Sequence, residues 1–130
     1  MRDSLRQSSE FKRVYEQGSR YDSSLITAFV LRNDQGKHRL GITVSRKTAI
    51  RALDRNRAKR LLRETFRLQK PLIEQLVGQY DWVLNGKRAL LVTGLTDSMR
   101  DLERVINRVA RNERDFSQLE AGENSSNSTS

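Results

Sequence analysis

The chain has 130 residues, of which 35% are hydrophobic, and this apolar supply suits one small domain. It contains no cysteine and no apolar run near the roughly 18 residues of a membrane helix, which excludes disulfides, thiolate metal sites and a membrane span and favours a cytoplasmic protein. The net charge is +9, and residues 46–67, with nine basic and two acidic side chains, supply +7 of it, as expected for a surface that binds a polyanion.

The first predicted element is a short amphipathic helix, residues 9–17. Serines at its start can cap the helix, and Phe11, Val14 and Tyr15 share one face at helical spacing. Gly18 follows at the position where many helices end in the left-handed conformation. The two aromatic side chains are one turn apart, so both can face a neighbouring sheet.

Two strands are predicted next, residues 25–32 and 39–45, with a glycine-containing turn between them. The simplest pairing of two such strands is an antiparallel hairpin. Alternation assigns the side chains of the first strand to two faces, with Leu25, Thr27, Phe29 and Leu31 on one and Ile26, Ala28 and Val30 on the other. The single histidine, His38, lies in the turn, where we expect a solvated side chain without a catalytic role.

The basic segment predicts a helix from Asp54 to Leu68 that ends before Pro71. Its apolar stripe at helical spacing consists of Ala58, Leu61, Leu62, Thr65 and Phe66. Basic side chains, mostly arginines, occupy the opposite face, where like charges three and four residues apart cost stability unless a partner neutralises them. Because the arginine fork suits bidentate contact with phosphate, we interpret this face as a nucleic-acid-binding surface rather than a solvated one.

Residues 81–86 predict a third strand with Trp82 in the core, although Asn85-Gly86 taken alone would indicate a hairpin turn. The other aromatic residues, Phe11, Tyr15 and Phe29, have two interpretations. They pack in the core, or they stack with unpaired bases if the junction between helix and sheet is an open cleft.

A terminal helix is predicted from Thr96, a possible cap, with an apolar stripe that extends to Val109. Its carboxylates, Asp97, Asp101 and Glu103, alternate with arginines. We therefore interpret them as salt-bridged helix surface rather than metal ligands.

Residues 117–130 are acidic and serine-rich and are expected to be disordered, which leaves a single domain, residues 1–116. The sequence has no phosphate-cradling glycine loop, no HExxH motif, no serine elbow and no carboxylate pair that stands out from the surface charge. We accordingly predict no catalytic residue and no metal site.

Two motifs at the start of the basic helix resemble a known family. The segment GITVSRK, residues 41–47, is followed eight residues on by RNRAKRLLRETFR, residues 55–67, and this combination resembles the protein component of bacterial ribonuclease P. The resemblance extends from about Ser8 to Val109.

The resemblance implies an α/β (α+β) two-layer sandwich with a small mixed sheet, an αβββαβα-like order and a left-handed βαβ crossover, although such crossovers are as a rule right-handed. It also implies a subunit of a ribonucleoprotein endonuclease that removes the 5′ leader from precursor tRNA. The implied partners are precursor tRNA and the catalytic RNA subunit, which binds Mg²⁺ and performs the hydrolysis. No organic cofactor and no membrane is implied.

The resemblance further implies roles for particular residues. Those that match the family's signature for binding the catalytic RNA are Arg46, Lys47, Arg55, Asn56, Arg57, Lys59, Arg60 and Arg63. Those that match the cleft for the single-stranded leader are Phe11, Tyr15, Phe29 and Lys87. Two positions depart from the family: Asn85 replaces an apolar strand residue, which predicts a short last strand or an altered cleft floor, and Arg51 replaces a small polar residue.

Two other classes of protein stay open. A ribosomal protein or general RNA chaperone would share the basic helix and the small α/β frame. A helix-turn-helix DNA-binding protein requires two closely linked helices, whereas predicted strands flank the basic helix here.

Overall fold

Apolar strands form a four-stranded mixed sheet in the computed structural model, which describes the backbone of residues 4–129 and the side chains of residues 4–116. The elements are α1 (Ser8–Gln17), β1 (Ser19–Asp22), β2 (Ile26–Arg32), β3 (Arg39–Thr43), α2 (Ala52–Leu68), α3 (Lys70–Ile73), β4 (Tyr80–Gly86), a 3₁₀ helix (Arg88–Val92) and α4 (Leu95–Thr129). The αβββαβα order is confirmed, with the short α3 and the 3₁₀ helix added to it.

Strand β4 lies inside the sheet, whose order is β1-β2-β4-β3. It runs antiparallel to β2, with Ile26 opposite Gly86, and parallel to β3, with Leu40 opposite Trp82. The predicted hairpin of β2 and β3 is therefore wrong, because β4 separates them. Six of the seven residues of β4 are buried, and pairing on both sides satisfies the backbone groups of such a strand.

Helices α2 and α4 cover one face of the sheet. Trp82 is completely buried there, as predicted, and its ring lies 5.9 Å from that of Phe66. The predicted apolar stripe of α2 faces the same core, and only Leu61 within it is partly exposed. The predicted alternation holds within β2, since Ile26, Ala28 and Val30 belong to this core and Phe29 and Leu31 pack on the other face. Leu25, predicted on that other face, precedes the strand and packs against this core instead.

Helix α1 covers the other face, together with Leu5 from the segment before it. Val14 is completely buried against Val83 and Leu5, and Phe11 and Phe29 pack around them. Gly41 permits this close approach, because a Cβ atom there would lie 2.6 Å from the ring of Phe11. One ten-residue helix is too short to cover four strands, so this face stays partly open.

The ends of α1 differ from the prediction. The helix begins at Ser8, and Gln7 is its cap; the Glu10 carboxylate accepts hydrogen bonds from the backbone N–H of Gln7 (3.0 Å) and of Arg6 (3.1 Å). Gly18 is extended, with φ −79°, rather than left-handed. Glycine fits here for another reason, since a Cβ atom would lie 2.5 Å from the Val14 carbonyl oxygen.

His38 is half-buried rather than solvated, which corrects the prediction. Its Nδ1 accepts hydrogen bonds from the backbone N–H of Tyr80 (3.2 Å) and from Nε1 of Trp82 (3.1 Å). Desolvation lowers the pKa of the imidazole, which suits a neutral ring that accepts at Nδ1. His38 thus anchors the turn before β3 to the start of β4.

Asp101 is also misplaced by the sequence prediction, because it is completely buried rather than on the helix surface. Its carboxylate accepts hydrogen bonds from the Ser23 hydroxyl (2.7 Å) and from the backbone N–H of Leu25 (2.9 Å) and Ile26 (3.0 Å). The predicted salt bridge is present, with Arg104 at 3.2 Å. Asp101 thereby ties α4 to the start of β2.

The terminal helix α4 contains the predicted segment and begins at Leu95, so Thr96 lies in its first turn instead of capping it. The side chains of residues 117–130 lie outside the described part of the chain. The disorder expected for these residues, and the boundary at residue 116, stay predictions.

Candidate nucleic-acid interface

The residues matched to RNA-subunit binding lie on α2 and on the loop that leads into it. These eight residues, here named the basic strip, are Arg46, Lys47, Arg55, Asn56, Arg57, Lys59, Arg60 and Arg63. Arg55 and Lys59 are half-buried, and the other six are exposed. The buried apolar stripe of α2 directs the remaining side chains of the helix away from the sheet.

Positive charge on the basic strip is not neutralised within residues 4–116. None of the strip's cations forms an ion pair with a described residue, whereas Arg67, farther along α2, pairs with Glu64. The hydrogen bond that Arg67 donates to Glu64 is the main cause of the lowered pKa of the Glu64 carboxyl group. Unpaired like charges on one helix favour an anionic partner.

Arg55, one residue of the basic strip, also has a structural role. Its Nη1 donates to the carbonyl oxygens of Ala49 (2.9 Å) and Ile50 (2.8 Å) and so braces the loop before α2. Arg51, the departure noted in the sequence, is the residue at the helix cap, and its side chain makes no capping hydrogen bond.

Arg88 extends the basic surface and was not identified from the sequence. It is exposed at the start of the 3₁₀ helix, and its Nη2 donates to the Lys47 carbonyl oxygen at 3.2 Å. This contact joins the end of β4 to the loop that carries Arg46 and Lys47. The only signal in the sequence was its position next to Lys87.

A cleft of about 590 Å³ lies between α1 and the adjoining ends of β3 and β4. It is lined by Tyr15, Thr27, Thr43, Val44, Ser45, Thr48, Asn85, Gly86, Lys87 and Arg88. Polar side chains dominate this lining, and Arg88 places the cleft beside the basic strip. An open, polar cleft with a cationic rim is suited to a single-stranded polyanion.

Of the three predicted aromatic residues, Tyr15 lines this cleft, and Phe29 contacts Tyr15 without lining the cleft itself. The rings of Tyr15 and Phe29 meet edge to face, with centroids 4.8 Å apart, and Tyr15 is 37% exposed. The Arg20 guanidinium lies 5.8 Å from the centre of the Phe29 ring. Phe11 is elsewhere: it lines a separate groove of about 470 Å³ that also contains His38 and Arg63.

Asn85 does not interrupt the last strand, because β4 continues to Gly86. Its Oδ1 accepts hydrogen bonds from the Tyr15 hydroxyl, at 3.0 Å, and from the Thr43 hydroxyl. Asn85 therefore forms part of the floor of the cleft and links it to α1.

Lys87 lines the cleft but is already engaged. Its Nζ lies 2.7 Å from Oδ1 of Asp22 and also donates to the Ser23 carbonyl oxygen. The hydrogen bond from Lys87 is the main cause of the lowered pKa of Asp22, and the hydroxyl of Thr27 adds to it. These contacts engage two of the three N–H donors of the Lys87 ammonium group and leave one for a phosphate.

No group of three or more histidine and carboxylate side chains is placed to hold a metal ion in the part of the chain with described side chains. Within the same limits, no helix is long and apolar enough to cross a membrane.

Comparison with known proteins gives one consistent result. The family model of ribonuclease P matches residues 1–110. The ribonuclease P protein component of Nitrosococcus oceani is 37% identical over 95 residues, which cover 73% of this chain and 76% of that protein. That of Clostridium kluyveri is 34% identical over 85 residues, 65% of this chain and 74% of its own length. The structure of the ribonuclease P protein from Thermotoga maritima matches with a TM-score of 0.71 at 25% identity, covering 82% of this chain and 97% of that one.

Proposed function

The chain belongs to the ribonuclease P protein family, the protein components of a tRNA-processing endoribonuclease, and we propose that it holds two RNAs on two adjoining surfaces. The basic strip binds the catalytic RNA subunit. The cleft beside α1 binds the single-stranded 5′ leader of precursor tRNA. The RNA subunit hydrolyses the bond that frees the mature 5′ end, and no residue of this chain is assigned a catalytic role.

The observation that carries this proposal is the unpaired charge of the basic strip. Six exposed polar or cationic side chains on α2 and its entry loop have no anionic partner among the described residues. Phosphates of a folded RNA supply that partner, and arginine contacts them in a bidentate manner. If about six phosphates are engaged, affinity falls by orders of magnitude between low and physiological salt.

The cleft contributes the second binding surface. The exposed ring of Tyr15 offers a platform for an unpaired base, and Phe29 supports that ring from the sheet. Arg88 and the loop that carries Lys47 provide cations at the rim for the phosphates between bases. Such a combination binds single strands through stacking on the ring and through contacts between the cations and the phosphates.

In this proposal the RNA subunit, and not this chain, binds Mg²⁺. The described side chains offer no carboxylate cluster for it, and Asp22, near the cleft, is engaged by Lys87. The chain changes the need for Mg²⁺ indirectly, because its cations neutralise RNA phosphates that otherwise repel the precursor tRNA. The protein thereby lowers the Mg²⁺ concentration at which the complex forms.

Cleavage of precursor tRNA by a bacterial ribonuclease P RNA at limiting Mg²⁺, with and without the chain, tests the proposal. We expect faster cleavage with the chain, and a larger gain for substrates with a leader of several nucleotides than for those with a single leader nucleotide. Absence of stimulation with several bacterial RNA subunits would refute the assignment.

A general RNA chaperone in the cytoplasm is the second candidate, because the basic strip by itself suits many structured RNAs. It would bind mature tRNA, precursor tRNA and other folded RNAs alike at matched salt. Competition among these RNAs separates the two functions, since only leader recognition predicts a preference for the precursor.

A further inference from the structure

The floor of the cleft contains a row of polar side chains on three neighbouring strands. Strand pairing places Asn85 of β4 between Thr27 of β2 and Thr43 of β3. The Thr27 hydroxyl donates to Asp22 at 2.9 Å. The Thr43 and Tyr15 hydroxyls instead donate to the Asn85 side chain, which fixes the plane of its amide.

These two hydrogen bonds occupy the acceptor of the Asn85 side chain and leave only its N–H donors free. The two hydroxyls use both lone pairs of Oδ1. No described group accepts a hydrogen bond from Nδ2 of Asn85. Nδ2 is also not one of the buried atoms without a partner, so it is accessible to an occupant of the cleft. The half-buried amide therefore presents N–H groups to the occupant of the cleft and no free acceptor.

We propose that Asn85 makes the cleft selective for nucleobases that carry a carbonyl oxygen where others carry an amino group, so that uracil and guanine bind better than cytosine and adenine. Uracil O4 and guanine O6 are acceptors at positions where cytosine N4 and adenine N6 are donors. A donor of Asn85 meets an acceptor in the first case and another donor in the second, which leaves both unpaired. The inference rests on the proposed binding of the leader in this cleft.

The usual pairing of asparagine with adenine is blocked here. It requires the amide to donate to N7 and to accept from N6 at the same time. Oδ1 of Asn85 is already occupied by Tyr15 and Thr43. A base stacked on the Tyr15 ring has its edge close to the hydroxyl of that ring, and hence close to Asn85, 3.0 Å farther on.

The test compares kcat/KM of the reconstituted ribonuclease P for precursor tRNAs that differ only in leader bases, uridine against cytidine. A second pair, inosine against adenosine, exchanges a carbonyl for an amino group in a purine. We expect the carbonyl-bearing leader to be favoured by about 3- to 10-fold, the range of one hydrogen bond. Asn85→Val should bring both ratios close to 1, because it removes the donors.

Asn85→Asp is the decisive variant, because it has nearly the same shape and keeps an oxygen for the Tyr15 and Thr43 hydroxyls. It presents a carboxylate oxygen where the wild type presents Nδ2, so the preference should invert toward cytidine and adenosine. Ratios near 1 in the wild type, or an Asn85→Asp ratio equal to that of the wild type, would overturn the inference. Stimulated cleavage without base preference refutes only this inference, whereas the absence of any stimulation refutes the proposed function and this inference with it.

Discussion

Replacing Arg60 and Arg63 together by glutamine measures the contribution of the basic strip. Both side chains are exposed on α2, and neither makes an ion pair or hydrogen bond within residues 4–116, so the change removes charge and little packing. Removing one arginine–phosphate interaction lowers the slope of log affinity against log salt by about 1, so we expect a decrease of about 2 for the double variant. Between about 50 and 200 mM salt, the variant's affinity should then fall about 16-fold less than that of the wild type.

Binding of the labelled catalytic RNA subunit at several salt concentrations checks this expectation. Arg111→Gln with Arg114→Gln is the matched control, since both arginines are exposed on α4 and the net charge changes equally. The control should keep the wild-type slope. Equal slopes for the two double variants would show that total charge, and not the basic strip, governs binding.

The other predictions concern the cleft and the stability of the fold. Tyr15→Ala should weaken binding of a leader-bearing precursor by about 1–3 kcal/mol and leave the affinity for mature tRNA unchanged, because the variant lacks the stacking ring; an unchanged precursor affinity would make Tyr15 a packing residue only. Arg39→Met should lower the free energy of unfolding in urea by about 3–5 kcal/mol, because the buried Asp81 carboxylate loses its bidentate partner. A decrease below about 1 kcal/mol would contradict that reasoning. Stability should also fall as pH drops below about 6.5, because burial lowers the pKa of His38 in the folded state and the unfolded chain then binds the proton more tightly. His38→Gln, whose amide oxygen can accept the same hydrogen bonds without titrating, should flatten that part of the pH profile, and an unchanged profile would exclude His38 as its source.

The elements that the sequence predicted well are those with a long local period. The apolar stripe of α2 repeats over several turns, so the sequence predicted which face of the helix is buried. It also predicted both ends of the helix to within two residues. Strand β1 gave no such signal, because it has four residues and only Tyr21 among them is buried.

Strand order could not be predicted from local pattern. The turn between β2 and β3 favoured a hairpin, but both strands pair with β4, whose residues lie about 40 to 60 positions farther along the chain. The apolarity of β4 was recognised, yet nothing local indicates which neighbours such a strand takes.

The residues of the candidate site likewise differ in how well the sequence predicts them. The basic strip lies on one helix and its entry loop, so its residues were found together. The cleft depends on contacts between distant segments, such as Tyr15 with Asn85, and sequence spacing cannot show that Lys87 is held by Asp22. Partners of buried polar groups are likewise remote in sequence, which is why His38 and Asp101 were assigned to the surface.

Site-specific crosslinking tests most directly whether the two surfaces hold two different RNAs. The chain has no cysteine, so a photoreactive label can be attached to one introduced residue: Leu53→Cys, where the native side chain is 76% exposed at the start of α2, or Glu16→Cys, exposed beside Tyr15 on α1. In the complex with RNA subunit and precursor tRNA, we expect the label at 53 to reach the RNA subunit and the label at 16 to reach the 5′ leader. A label at 16 that reaches only the RNA subunit, or a label at 53 that reaches the leader, would contradict the division of the two surfaces.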